Sequence, residues 1–225
     1  MVNKDLNVRP SPVLAAWLED NFSESGHFWP LHIRVSKRVF DLSMSLIALP
    51  LVVGVGAVLL VVNPFLNPGP LLFSQVRMGK NARPFMLVKF RTMVSGGGAL
   101  RGHDDDVEED RIRPLGRILR KFRIDELPNF FNVLAGDMSV IGPRPDMLEH
   151  AIELSKRVPR YKDRFRVKPG ISGLAQVRHG YVSSLSGVAR KARLDAIYIE
   201  YFCLGLEVFI IAQTFLVILT GFRAR

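Results

Sequence analysis

Two adjacent carboxylates, Asp125 and Glu126, directly follow a cationic stretch that carries Arg113, Arg117, Arg120 and Lys121. Arg144 comes after them, inside a rigid Gly142-Pro-Arg-Pro145 turn. An ionised carboxylate can act as a nucleophile or hold a divalent cation, and arginines on either side can clamp phosphate oxygens. That combination suits phosphoryl transfer, which depends on positioning and charge neutralisation. A plainer reading stands beside it. Asp125 has the type and place of an N-cap, with Pro128 in the first turn and Gly136 as the stop, while Glu126 complements the helix dipole. A helix start also lowers a carboxylate pKa and binds phosphate oxygens.

The elements that must position these residues follow from patterning. Leu115, Ile118, Leu119 and Phe122 fall at helical spacing on one face of residues 113–122, with arginine and lysine on the rest. Such a helix lies in a lipid interface or packs its stripe on a core. Further upstream, no charged residue occurs between positions 42 and 76. Residues 42–62 are long enough to match the hydrocarbon of a bilayer, about 30 Å. They begin after Lys37-Arg38, too far into the chain for a cleavable signal peptide. Pro50 removes an N–H inside this run, so a kink or break is expected near residues 45–49. Both flanks are basic: Arg34, Lys37 and Arg38 before it, Arg77, Lys80, Arg83, Lys89 and Arg91 after it. Positive charge marks the cytoplasmic side. Charge therefore favours a re-entrant helix-break-helix, with Pro50 at the membrane break, over a kinked crossing helix.

Residues 63–70 hold three prolines and a glycine, a turn out of that segment. Residues 71–93 read as a β-hairpin around Gly79-Lys80-Asn81. A glycine-rich loop runs over 95–106 and leads into an acid run at 104–110, a pattern more often solvated than metal-binding. The glycines at 96–98 lack the Gly-Lys-Ser/Thr ending of a phosphate loop. Near the C-terminus come a turn-rich string from Lys168 to Val177 and a polar helix over 185–198. An apolar stretch over 202–222 has only Glu207 charged, and reads as a buried or interface-lying helix. A short helix is expected at 12–20.

The 225 residues carry a net charge of +10, with 23% charged and 48% hydrophobic residues, which excludes a disordered chain. That charge calls for anionic partners: nucleic acid, lipid head groups or nucleotide phosphates. Cys203 is the single cysteine, so no intramolecular disulfide forms, and no Cys/His spacing resembles a zinc site.

One ordered series of motifs goes further. Lys37-Arg38-x-x-Asp41, the apolar segment with Pro50, Pro68-Gly-Pro70 and Lys89-Phe-Arg-Thr-Met93 come first. Asp125-Glu-Leu-Pro128, Asn132-Val-Leu-x-Gly-Asp-Met-Ser139, Gly142-Pro-Arg-Pro145 and Lys168-Pro-Gly-Ile-Ser-Gly173 follow. Over residues 34–222 the chain resembles the bacterial sugar transferases, the monotopic polyprenyl-phosphate phosphoglycosyl transferases, in their minimal catalytic form. The resemblance implies an α+β, mostly helical monotopic membrane protein. Its parts would be an N-terminal extension (1–33), a re-entrant membrane segment (34–66) and a cytoplasmic catalytic domain (67–225) with interface-lying helices.

It also implies transfer of a sugar 1-phosphate from a UDP-sugar to undecaprenyl phosphate, with UMP released, at the cytoplasmic face of a bacterial inner membrane. Asp125 would be the nucleophile of a covalent phosphosugar intermediate, and Glu126 would hold Mg²⁺. Lys89, Arg91, Arg120, Arg144 and Gln176 take the substrate- and phosphate-binding positions. Membrane lipid is an expected partner, nucleic acid is not, and a homodimer is compatible with this reading. The chain departs from the family's habit at Leu174 and at Arg178-His179-Gly180, a region expected near the sugar. Two alternatives are a metal-dependent glycosyl transferase that releases UDP, using the acid run, and a non-catalytic basic membrane scaffold. An acid pair inside the cationic patch opposes nucleic-acid binding.

Overall fold

A computed structural model of the chain describes residues 29–94, 109–179 and 184–220. The expected helix at 12–20, the glycine triplet and most of the acid run lie outside them. The first helix, α1, spans Leu31–Leu66 and is the one described helix long and apolar enough to cross a membrane, with a mean hydropathy of 2.7 over an 18-residue stretch. Its buried residues are Lys37, Asp41, Ser45, Val52, Leu59 and Asn63. Spacings of four and seven keep them on one face. Most of the remainder, including Leu46, Ile47, Leu51, Val58, Leu60 and Val61, is exposed apolar surface.

The chain stays helical through Pro50 and Pro64, so no helix terminus forms near residues 45–49. The two halves of the expected helix-break-helix are one element: each proline removes a single internal bond, and the rest of a 36-residue helix persists. Both ends of α1 are fixed to the globular body. At the start, Lys37 Nζ reaches Asp41 Oδ1 (3.1 Å) and Glu207 Oε2 (2.8 Å). Arg38 donates to the carbonyls of Val133 (2.6 Å) and Leu134 (2.9 Å). At the other end, Arg91 holds the exit turn. Its Nε donates to Pro70 O (2.7 Å), Nη1 to Met93 O (3.0 Å) and Asn67 Oδ1 (3.4 Å), and Nη2 to the carbonyls of Asn67 and Pro68.

The expected hairpin is present. Strand β1 (Leu72–Met78) pairs antiparallel with β2 (Pro84–Phe90), from Leu72 opposite Phe90 to Met78 opposite Pro84. The connection, Lys80–Ala82, places Asn81 in the left-handed region that asparagine tolerates. Helix α2 (Pro114–Lys121) follows, then α3 (Asn129–Ala135), which ends at Gly136 with φ +97°. Strand β3 (Ser139–Ile141) pairs in parallel with β4 (Gly170–Ser172), with α4 (Leu148–Arg157) between them. The chain closes with α5 (Leu174–His179), α6 (Leu185–Glu200) and α7 (Leu204–Thr220), matching the polar and apolar C-terminal segments.

The main core joins Phe85 and Leu87 of β2, Val133 of α3, Val140 and Ile141 of β3, and Tyr198 and Ile210 from α6 and α7. A smaller core gathers Leu59 of α1, Phe90 of β2 and Leu119 of α2. At the crossing of the Gly142-Pro-Arg-Pro145 turn with the start of β4, glycine is obligatory. A Cβ on Gly170 would lie 2.1 Å from Gly142 N, closer than any side chain permits.

Candidate active site

The last inward residue of β2 brings a cation to the carboxylate pair. Phe85, Leu87 and Lys89 share one face of the strand. The first two enter the core, and Lys89 emerges at its edge. Asn132 of α3 fixes the strand against the helix: its Oδ1 accepts from Val88 N (3.1 Å) and its Nδ2 donates to Met86 O (2.7 Å). Between α2 and α3, Arg123 turns left-handed (φ 54°), and a short 3₁₀ turn, Ile124–Glu126, carries Asp125 and Glu126. Asp125 is therefore not the N-cap of α3. Pro128 holds that place, with no side-chain cap, because the 3₁₀ turn takes up the residues before it.

The two carboxylates have opposite environments. Glu126 is gripped by three cations: Lys89 Nζ (2.8 Å) and Arg144 Nη2 (2.7 Å) at Oε1, and Arg123 Nη1 (3.4 Å) at Oε2. Burial alone would raise its pKa, but Arg144 and Lys89 prevail and hold it well below the usual carboxylate range. Asp125, 9% exposed, accepts no hydrogen bond and forms no ion pair among the described residues. Burial, reinforced by repulsion from Glu126, pushes its pKa up to about 6, against the pull of Lys89, Arg144 and Arg120. The direction is opposite to that expected of a helix start, because desolvation outweighs a dipole that Asp125 does not cap. At neutral pH Asp125 is mostly ionised, and it shares its carboxylate with no partner among the described residues.

Arg144 projects from a braced turn. Arg164 Nη2 donates to Arg144 O (3.0 Å), and Asp146, two residues on, accepts from Tyr161 and Arg164. Arg120 contacts Met93 Sδ at 3.7 Å and adds to the positive potential at Asp125. Lys89 and Arg144 thus pair with Glu126, and Arg120 acts on Asp125 through its charge alone.

Two of the expected substrate contacts are placed otherwise. Arg91, 6% exposed, spends all five of its N–H groups on the loop after α1 and on Met93, and keeps none for phosphate. Its role is to clamp the chain, because a cation buried this deeply is satisfied by carbonyls close in space. Gln176 on α5 donates through Nε2 to Ile171 O (3.2 Å), its Oε1 is buried without a partner, and it is not among the residues that line the cleft beside the carboxylates.

Sequence reasoning missed three side chains at the site: Arg123, Arg77 and Asn129. Arg123 was visible two residues before Asp125. The other two face the cleft only because of the hairpin and the crossing at Gly142. The stripe on α2 divides: Leu119 is buried, while Ile118 and Phe122 are 54% and 41% exposed. The core reading holds at Leu119, and the other half leaves its apolar side chains unpacked.

No group of three or more His, Cys, Asp or Glu gathers among the described residues, so no closed metal cage is formed by them. Mg²⁺ does not need one, since one or two carboxylates and substrate phosphates suffice. Glu126 fits such a role through Oε2, whose one contact, to Arg123, is long.

The bacterial sugar transferase family model matches residues 32–221. Over 192 residues, 84% of this chain and 45% of the relative, the sequence is 43% identical to a UDP-N-acetylgalactosamine-undecaprenyl-phosphate N-acetylgalactosaminephosphotransferase of Aeromonas hydrophila. It is 39% identical over 153 residues, 66% of this chain and 56% of the relative, to a UDP-glucose:undecaprenyl-phosphate glucose-1-phosphate transferase of Caulobacter vibrioides. It is also 36% identical over 200 residues to an exopolysaccharide production protein of Rhizobium leguminosarum, covering 80% of this chain and 93% of the relative. The chain spans about half the length of the first two of these relatives. It belongs to the bacterial sugar transferase family.

Proposed function

We propose that the chain transfers a sugar 1-phosphate from a UDP-sugar to undecaprenyl phosphate, with release of UMP, and so starts a lipid-linked glycan. The observation that carries this reading is the unequal carboxylate pair. Glu126 absorbs the surrounding cations while its neighbour Asp125 remains ionisable and without a partner among the described residues. The names of the Aeromonas and Caulobacter relatives supply the donor and acceptor classes. They differ in the sugar, so the donor is stated as a UDP-hexose.

In the first step an Asp125 carboxylate oxygen bonds to the sugar-linked phosphorus, and the bond from that phosphorus to UMP breaks with its electron pair leaving on UMP. In the second, a phosphate oxygen of undecaprenyl phosphate attacks the same phosphorus. The aspartyl–phosphate bond breaks, freeing Asp125 and leaving a diphosphate-linked sugar on the lipid. Lys89, Arg120 and Arg144 hold the non-bridging oxygens, where preset charges stabilise the transition state without reorganising. Glu126 keeps Lys89 and Arg144 in place until the donor arrives. Mg²⁺ bound through Glu126 would neutralise the diphosphate and improve the leaving group.

In this reading α1 enters and leaves the bilayer on the cytoplasmic side of the inner membrane. Its exposed apolar surface and its fixed ends support that. A straight helix from Arg38 to Asn67 would span about 43 Å at about 1.5 Å per residue. The residues that hold those two positions, Val133 and Arg91, are linked through Asn132 and Val88. That path reaches such a length only if every bond in it points the same way, so a bend in α1 is the easier geometry. Ile118 and Phe122 of α2, beside Arg117 and Lys121, then rest at the lipid surface.

The test is nucleotide release from a panel of UDP-hexoses with Mg²⁺ and undecaprenyl phosphate in detergent. UMP release that depends on the lipid is expected, and the active donor names the sugar. UDP release would overturn the reading and remove Asp125 from its role.

A further inference from the structure

Beside the carboxylate pair, the cleft between β1–β2, α3 and the Gly142-Pro-Arg-Pro145 turn is lined by Arg77, Lys89, Asn129, Arg144 and Gly170 among others. Two of these carry unmet polar atoms. Arg77 donates through Nη1 to Pro145 O (3.3 Å) and through Nη2 to Gln75 Oε1 (2.6 Å), yet its Nε is buried without a partner. Burial and repulsion from Arg144 lower its pKa to about 10, despite Asp146, Glu126 and Glu149 nearby. Asn129 is 3% exposed, and its Oδ1 is buried without a partner. A buried polar group left unpaired costs about 1–3 kcal/mol, so a cleft with two of them, one beside crowded cations, is complementary to something absent from the protein. Its missing half is an anionic oxygen against Arg77 and a hydrogen-bond donor against Asn129.

We propose that Arg77 and Asn129 form a donor-binding subsite. Arg77 Nε–H takes a non-bridging diphosphate oxygen, and Asn129 Oδ1 accepts a hydrogen bond from a hydroxyl or acetamido N–H of the transferred sugar. This rests on the donor reading above. Phosphate oxygens of a UDP-sugar carry no proton to give at neutral pH, so the partner of Asn129 comes from a hydroxyl or an amide N–H of the donor. Asn129 lies four residues beyond Asp125, and the phosphorus that Asp125 attacks bears the sugar directly, whereas the ribose lies beyond the leaving phosphate. Asn129 therefore reads the sugar, and Arg77 binds what every UDP donor shares.

The test is calorimetric titration of UDP and of the UDP-hexose panel into the purified full chain, in detergent with Mg²⁺ and without lipid acceptor. The parent protein carries Asp125→Asn, which cannot form the phosphosugar intermediate, and each variant is made in that background. Arg77→Gln is expected to weaken UDP about 10- to 100-fold, the loss of one charge-assisted hydrogen bond. Arg77→Lys, which keeps the charge, should recover part of it at an unchanged melting temperature. Asn129→Ala should leave UDP within about two-fold while weakening the preferred UDP-hexose about ten-fold. Parental affinity for UDP in a folded Arg77→Gln protein would overturn the anion half. An Asn129→Ala protein that binds all donors as the parent does would overturn the sugar half. A parent protein that binds neither UDP nor any UDP-hexose would instead sink the donor reading on which the subsite depends.

Discussion

Replacing Asp125 by asparagine should abolish turnover and stabilise the fold, because the nucleophile is kept charged at a cost. Its pKa stands at about 6, against 3.8 for an unperturbed aspartate. At about 1.4 kcal/mol per pH unit, holding the folded carboxylate ionised at pH 7 costs about 3 kcal/mol, an upper value for what asparagine recovers. The sign follows from proton binding. With its pKa raised, the folded state binds the proton more tightly than the unfolded state does. Asp125 therefore favours folding below about pH 4, and that contribution is lost as pH rises through about 6.

Activity runs the other way, since attack on phosphorus needs the ionised form, and kcat/KM should climb through the same interval. Urea unfolding of wild type and Asp125→Asn at a series of pH values between 4 and 8, in one detergent, checks this. The asparagine protein should gain stability at pH 7 and lack the part of the wild-type slope that Asp125 supplies. If it is no more stable than wild type at pH 7, or if the two slopes coincide, the claim of a desolvated, strained nucleophile is wrong.

Glu126→Gln leaves Lys89, Arg123 and Arg144 facing one another, so stability should fall by about 3 kcal/mol and activity by more than about 100-fold, read by urea unfolding and UMP release. Arg91→Lys loses the fork that clamps residues 67–70. It should lower the melting temperature yet leave UDP affinity within about two-fold; a loss of UDP binding at an unchanged melting temperature would make Arg91 a phosphate ligand after all. Asn132→Ala leaves Val88 N–H and Met86 C=O without their partner, for a loss of about 2 kcal/mol and a lowered kcat as Lys89 shifts. In a Cys203→Ser background, cysteines at Ser36 and Pro70 should react with an impermeant thiol reagent from the same side of membrane vesicles. Labelling from opposite sides would mean that α1 crosses.

What was legible in the sequence was local. The hairpin over 71–93, the stop at Gly136 and the apolar α1 were readable because turn chemistry and periodicity act within a few residues. The acid pair stood out for the same reason, as did the cations of α2 and Arg144. What stayed hidden depends on contacts across the chain. Arg91 looked like one more basic flank and is a clamp, because its partners at residues 67–70 approach only when β1 and β2 pair. The direction of the Asp125 pKa needed its burial in the folded chain, which outweighs the pull of Lys89 and Arg144. Arg77 and Asn129 carry no motif that marks them, and their unmet atoms exist only once β1, α3 and the proline-rich turn close one cleft.

The contact of Gly142 with Gly170 bears on how this scaffold can diversify. Two segments 28 positions apart meet backbone to backbone, with no side chain between them to absorb a shift. An insertion or deletion in either segment would move Arg144 directly and spoil the charge geometry around Glu126. Loop length, a common route by which related proteins acquire new ligands, is therefore closed at the centre of the site. New donor preferences must come from exchanging side chains on a fixed frame. That makes the scaffold well suited to retargeting by point substitution and poorly suited to loop grafting.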